Sequence, residues 1–155
     1  MRSLLKLLAF AAVFAIGAAS SMNALAAEKQ QILQDRQDLM IDQGRQWLVI
    51  RNYLQDKADQ AAASAAVGSL AKTVPTVPNY FPPGTEGPNP DGKYAPKPEV
   101  WSEGDKFLAA DKKVVDQVAA LDAAIRSGDK TKVEVAFKEL AVCSACHDTF
   151  RAKLQ

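Results

Sequence analysis

Along the chain, apolar positions recur with helical spacing, and the alternation expected of strands is nearly absent. Leu33, Met40, Trp47 and Leu54 fall seven residues apart, with Ile32, Leu39, Ile50 and Tyr53 beside them. This is one apolar stripe on a long helix, predicted from about residue 28 to 57. Residues 59–72 are alanine-rich, with Val67 and Leu70 as the larger apolar members, and predict a shorter second helix. Then the pattern stops. The stretch TVPTVPNYFPPGTEGPNPDGKYAPKPE contains all eight prolines of the chain. Fixed φ and missing amide donors exclude a regular element there, so residues 74–97 read as a long loop. It is a connection within one domain, because neither flank has enough apolar residues for a core of its own.

Helical spacing resumes after Pro98, a residue type favoured in a first helical turn. Trp101, Leu108, Val115, Val118, Leu121 and Ile125 form the predicted apolar face. RSGDK ends that helix, with Gly128 suited to a C-cap and Asp129 to the next N-cap. The last helix, predicted over residues 130–153, buries Val133, Phe137, Leu140, Phe150 and Leu154. Short connections join the first helix to the second and the third to the fourth. An all-α, antiparallel four-helix bundle is the natural architecture. An open helical array is the alternative, but no repeat of fixed period is visible.

The first 26 residues do not belong to that pattern. Arg2 and Lys6 precede an apolar run from Leu7 to Ile16, and Ala24-Leu25-Ala26 offers small residues for cleavage. This is the layout of a signal peptide, and the run is too short to span a bilayer comfortably. The expected mature domain is residues 27–155, exported, periplasmic and without a membrane span. Removing Arg2 and Lys6 changes 19 basic against 18 acidic residues into 17 against 18. Such a balance argues against nucleic acid as a partner and against a basic membrane patch.

The chain has two cysteines and one histidine, and all three lie in CSACH: Cys143, Cys146 and His147. A thioredoxin-type dithiol needs a strand-to-helix junction that this chain does not supply. A structural zinc site needs four ligands, and no other Cys or His exists to complete it. A disulfide suits an exported protein but would close a tiny loop and leave His147 unused. C-x-x-C-H uses all three. The thiols add to the vinyl groups of one haem, and the adjacent imidazole is placed to become the iron's proximal ligand.

A haem motif on the last helix, with DRQDLM in the first helix, FPPGTEG followed by KPEVW, and CSACHDTFR near the end, resembles the class II c-type cytochromes, the cytochrome c-prime family. The resemblance covers essentially the whole mature chain. It implies a four-helix bundle with one covalent haem c. It also implies a distal iron position four residues after Arg36, which is Met40. An apolar residue there leaves the iron five-coordinate and open to small gases, whereas a methionine marks a low-spin, six-coordinate branch. Met1 and Met22 leave with the leader, so Met40 is the one methionine of the mature chain. Met40 as an ordinary core filler is the competing reading. Gly44, one turn on, leaves room for a flat ring.

The resemblance also puts Arg36 near a haem propionate and makes Gln37 a cofactor-contact candidate; a solvated helix face is the alternative for both. Arg151, four residues after His147, is expected on the same helix face, with pairing to Asp148 or water as the alternative. Trp47, Trp101 and Phe150 are expected to wall the haem or to serve as core aromatics. The resulting expectation is a one-electron carrier with His147 and Met40 on the iron, and not an enzyme. Its partners are redox proteins, and its state is a monomer or homodimer. The alternative is a haem protein that binds small gases such as NO or CO at an open or labile distal site. A peroxidase is disfavoured, since no distal histidine or acid–base pair is present.

Overall fold

A computed structural model describes the backbone of residues 2–140 and 143–154 and the side chains of residues 25–140 and 146–154. It comprises two compact units, Met1–Ile32 and Leu33–Gln155. The first is helical over its described residues, and Leu25 is 67 % exposed. The side chains of most of the expected leader lie outside the described residues. Among the described residues no helix is long and apolar enough to cross a membrane.

The elements in chain order are α1 (Arg2–Leu54), α2 (Gln60–Thr73), a 3-10 helix (Val74–Tyr80), β1 (Tyr94–Pro96), α3 (Glu99–Ser102), α4 (Gly104–Ser127), α5 (Lys130–Leu140), α6 (Cys143–Phe150) and β2 (Arg151–Lys153). The second unit is the expected all-α bundle, with α1 from Leu33 onward, α2, α4, and α5 with α6 standing for its four helices.

Local chemistry sets most of the boundaries. After α1 the chain reverses through Asp56 at φ 59°, and the Lys57 amide donates to the Asn52 carbonyl at 2.8 Å. Asp59 caps α2, its Oδ1 accepting from the Ala62 amide at 2.7 Å, a contact of about 1 kcal/mol. Gly128 ends α4 in the left-handed region at φ 70°, and Asp129 Oδ1 accepts from the amides of Thr131 and Lys132. Ala63 and Ala66 are buried on α2, where small side chains let helices approach closely. Around them Ile50, Tyr53, Val67, Leu70, Leu121, Ile125, Val133 and Leu140 form the main core.

Three expectations need correction. The proline-rich stretch is not wholly irregular, because Pro75 opens the 3-10 helix and its short hydrogen-bonding range accommodates Pro78. The third helix is broken at Glu103, which leaves helical φ and ψ before α4 begins at Gly104. Within α4, Phe107 shares the face of Val118, Leu121 and Ile125 and is buried, whereas Leu108 lies off that face and is 53 % exposed. The last helix stops at Phe150 rather than running to residue 153. Arg151, Ala152 and Lys153 pair antiparallel with Pro96, Ala95 and Tyr94. Amides of Lys97 and Leu154 extend that ribbon to the carbonyls of Phe150 and Lys93, and Leu154 stays exposed instead of entering the core.

Candidate functional site

The cysteine-bearing helix α6 meets a second, smaller core. Val100, Phe107 and Phe150 are its buried members, and Val77, Phe81, Trp101, Ala110 and Cys146 pack against them. The rings interlock edge to face, Phe81 with Phe107 at 5.2 Å and Phe107 with Phe150 at 5.3 Å between centroids. Trp101 Nε1 donates to the carbonyl of Phe81 at 3.0 Å and so ties the loop to this wall. Two of the three aromatics expected beside the haem, Trp101 and Phe150, are here with Cys146. Trp47 is not: it stacks on Phe137 at 3.8 Å and belongs to the main core.

Cys146 also lines a cavity of about 260 Å³ with Lys106, Ala110, Lys113, Val114, Thr149 and Phe150. Its thiol is half-buried, and its pKa is pushed up first by burial and then by the Asp111 carboxylate. His147 is half-buried too. Burial lowers its pKa, the Arg151 charge lowers it further, and Asp148 opposes both. A neutral imidazole is the form that binds a metal. The side chain of Cys143 lies outside the described residues.

Arg151 is not on a helix face shared with His147. It follows the end of α6, and its guanidinium carbon stands 4.4 Å over the Tyr94 ring on the opposite strand. Met40 is half-buried on α1. Its neighbours one to two turns away define the side it occupies: Arg36 reaches the carbonyl of Tyr80, and Trp47 reaches Phe137 of α5. Neither Met40 nor His147 lines the Cys146 cavity. Gly44 is exposed, and a Cβ there would meet nothing within 4 Å.

Arg36 is the most informative residue of the site. It is 2 % exposed. Nε donates to the Tyr80 carbonyl at 2.9 Å, and Nη2 donates to Thr85 twice, to the carbonyl at 3.2 Å and to Oγ1 at 2.8 Å. The guanidinium carbon lies 4.2 Å from the Phe81 ring centroid. Burial lowers its pKa to about 10, partly offset by Glu86. Its Nη1 is enclosed and has no hydrogen-bond acceptor. Next to it, Gln37 Oε1 accepts from the Asp91 amide at 3.0 Å, so this contact is with the loop. Thr85 and Phe81 were not among the sequence candidates. Only the Pro-Pro-Gly that precedes Thr85 hints at the turn that delivers it.

These features suit a covalently attached haem. An enclosed guanidinium with a spare donor matches a propionate, since unsatisfied buried donors are costly. A half-buried thiol in an aromatic wall matches a ring edge, and the next residue is a neutral imidazole. Fold and site together define a c-type haem protein built on a helical bundle. The chain belongs to the cytochrome c' family, whose model, described as Cytochrome C', matches residues 31–151. As a member of that family it carries one covalently attached haem c.

Its similarity to individual proteins is consistent with this. Cytochrome c' of Alcaligenes xylosoxydans xylosoxydans is 34 % identical over 111 residues, covering 71 % of this chain and 81 % of that one. Cytochrome c-556 of Agrobacterium fabrum is 33 % identical over 96 residues, covering 61 % and 62 % respectively. Among solved structures, the nitric oxide complex of a leucine-to-valine variant of cytochrome c prime from Alcaligenes xylosoxidans superposes with a TM-score of 0.70. It is 29 % identical, and the match covers 81 % of this chain and 97 % of that one. A carbon monoxide complex of a leucine-to-glycine variant of the same protein gives 0.71 at 28 % identity over the same shares.

Proposed function

We propose that this protein is a periplasmic haem protein that binds a small diatomic gas at the iron. In this reading Cys143 and Cys146 hold the ring, His147 is the proximal ligand, and Met40 is the displaceable occupant of the distal side. The observation that carries it is the likeness to cytochrome c prime solved with nitric oxide and with carbon monoxide bound, over nine-tenths or more of that chain. When bound, the haem supplies an iron with one position available for a diatomic ligand.

The residues of this chain provide the setting. His147 is held neutral by burial and by Arg151, ready to donate an imidazole lone pair. Phe107, Phe150 and Trp101 share an apolar cluster with Cys146. Met40 brings a flexible, weakly basic thioether, which a stronger ligand can displace. The apolar run from Leu7 to Ile16 behind Arg2 and Lys6 supports export.

One observation favours a second reading. Met40 is the only methionine beyond Met22, and it stands where the family resemblance places the sixth ligand. A thioether that never leaves the iron would make the protein a one-electron carrier.

Visible spectra of the ferrous protein with and without carbon monoxide separate the two. Wild type is expected to form a carbon monoxide adduct, and Met40→Leu to form it faster while keeping its haem. A wild type that stays low-spin and takes no carbon monoxide at saturation would overturn the gas-binding reading. The electron-carrier reading would then stand.

A further inference from the structure

We infer that Thr85 is a positioning residue for the haem: it fixes the Arg36 guanidinium so that the two N–H groups of Nη1 are the donors left for a carboxylate of the cofactor. The inference rests on the haem reading above and goes beyond it, because Thr85 need not touch the haem.

The sequence builds this arrangement locally. Pro82-Pro83-Gly84-Thr85 has proline at the second and glycine at the third position of a four-residue turn, with Gly84 at φ 88°. That is the requirement of a type II turn, and the Thr85 amide closes it onto the Pro82 carbonyl at 3.3 Å. The Thr85 hydroxyl donates to the same carbonyl at 2.7 Å. Its single proton is therefore spent, and Oγ1 can only accept towards Arg36.

Donor bookkeeping completes the case. A guanidinium has five N–H donors in a rigid fork. The Tyr80 carbonyl takes Nε, and the two oxygens of Thr85 take Nη2. Phe81 covers the guanidinium at 4.2 Å. Thr85 is 4 % exposed, so water does not compete for its hydroxyl. Only the Nη1 edge is unsatisfied. A planar donor fixed on three atoms meets a carboxylate without losing further freedom, and a cation held there offsets the carboxylate charge felt at the iron.

The test is the reduction midpoint of the haem-loaded protein, read by optical titration. Thr85→Val keeps the shape and removes the hydroxyl, and should shift the midpoint downward. Thr85→Ser should leave it at the wild-type value. Gly84→Ala keeps the hydroxyl but strains the turn, since no steric contact lies within 4 Å of the added methyl and only the positive φ opposes it. It should shift the midpoint in the same direction, and it serves if Thr85→Val does not fold. In an Arg36→Lys background, Thr85→Val should cause no further shift, because Thr85 acts through the fork of Arg36. A Thr85→Val shift that persists in full in that background overturns the inference, and so does an unchanged midpoint in Thr85→Val. If haem is not attached at Cys143 and Cys146 at all, the haem reading fails instead. That outcome is seen separately in the pyridine haemochrome spectrum.

Discussion

The two cores of the bundle are made of different material. The larger one, between α1, α2, α4 and α5, is mainly aliphatic and alanine-rich, with Ile50, Val67, Leu121, Ile125 and Val133 fully enclosed and Tyr53 and the Trp47–Phe137 stack as its aromatic members. Asp59 and Asp129 cap the starts of α2 and α5, and Gly128 ends α4. The smaller one is aromatic, sits beside the proline-rich loop, and has a half-buried thiol, a 260 Å³ cavity and an enclosed guanidinium nitrogen without an acceptor at or near it. Native cores seldom leave such loose ends. In the proposed function, the second core is the one that the cofactor would finish.

The largest effect that would break this comparison comes from the thiol. Cys146→Ser should leave at most one thioether, read as a shifted pyridine haemochrome band, and should lower stability mainly through the aromatic core. A normal double-thioether spectrum in this variant would contradict the attachment. Next come the cores themselves. Leu121→Ala should cost about 2–5 kcal/mol in urea unfolding, and the same amount whether or not haem is attached. Phe107→Ala should cost about 3–5 kcal/mol in the haem-loaded protein and clearly less in a Cys143→Ser/Cys146→Ser double variant that lacks haem. Equal haem dependence for the two would mean that the cores are one.

The same division explains what could be read from sequence. CSACH was legible because covalent attachment demands adjacent residues, so the chemistry is written within five positions. The four main helices were legible from spacing, and Gly128 and Asp129 from capping chemistry. Leu108 was misplaced because Trp101 lies on a separate helix before Glu103, and within α4 it is Phe107 that falls on the face of Leu121 and Ile125. Residue type left Trp47 open between a haem wall and a core aromatic, because which core an aromatic enters depends on its partner, here Phe137. Arg151 was placed by continuing a helix that the Tyr94–Pro96 strand interrupts. Thr85 was beyond reach, since its role depends on an arginine 49 residues away and on the turn between. Placing Cys143, His147 and Met40 about the iron rests on motif and family, and is part of the proposed function.

The smallest effect concerns Asp111, on the α4 segment that runs along the smaller core. Burial raises its pKa to about 6. In the unfolded chain it would titrate near 3.9. Between those values the folded state holds a proton that the unfolded state has released. The contribution to stability is therefore complete below about pH 4 and is lost as pH rises through 6. A full shift of that size would be about 3 kcal/mol, but the carboxyl is partly solvated, and screening reduces the expectation to about 1 kcal/mol. Asp111→Asn supplies a neutral group at every pH. Urea unfolding of the two proteins should agree near pH 4 and diverge through pH 6, with the variant the more stable at pH 7. A control in the aliphatic core, Val118→Ala, should lower stability by the same amount at all three values. If Asp111→Asn instead runs parallel to wild type from pH 4 to 7, the carboxyl is solvated. The rim of the aromatic core would then be as open as any surface, and the contrast between the two cores would stop short of α4.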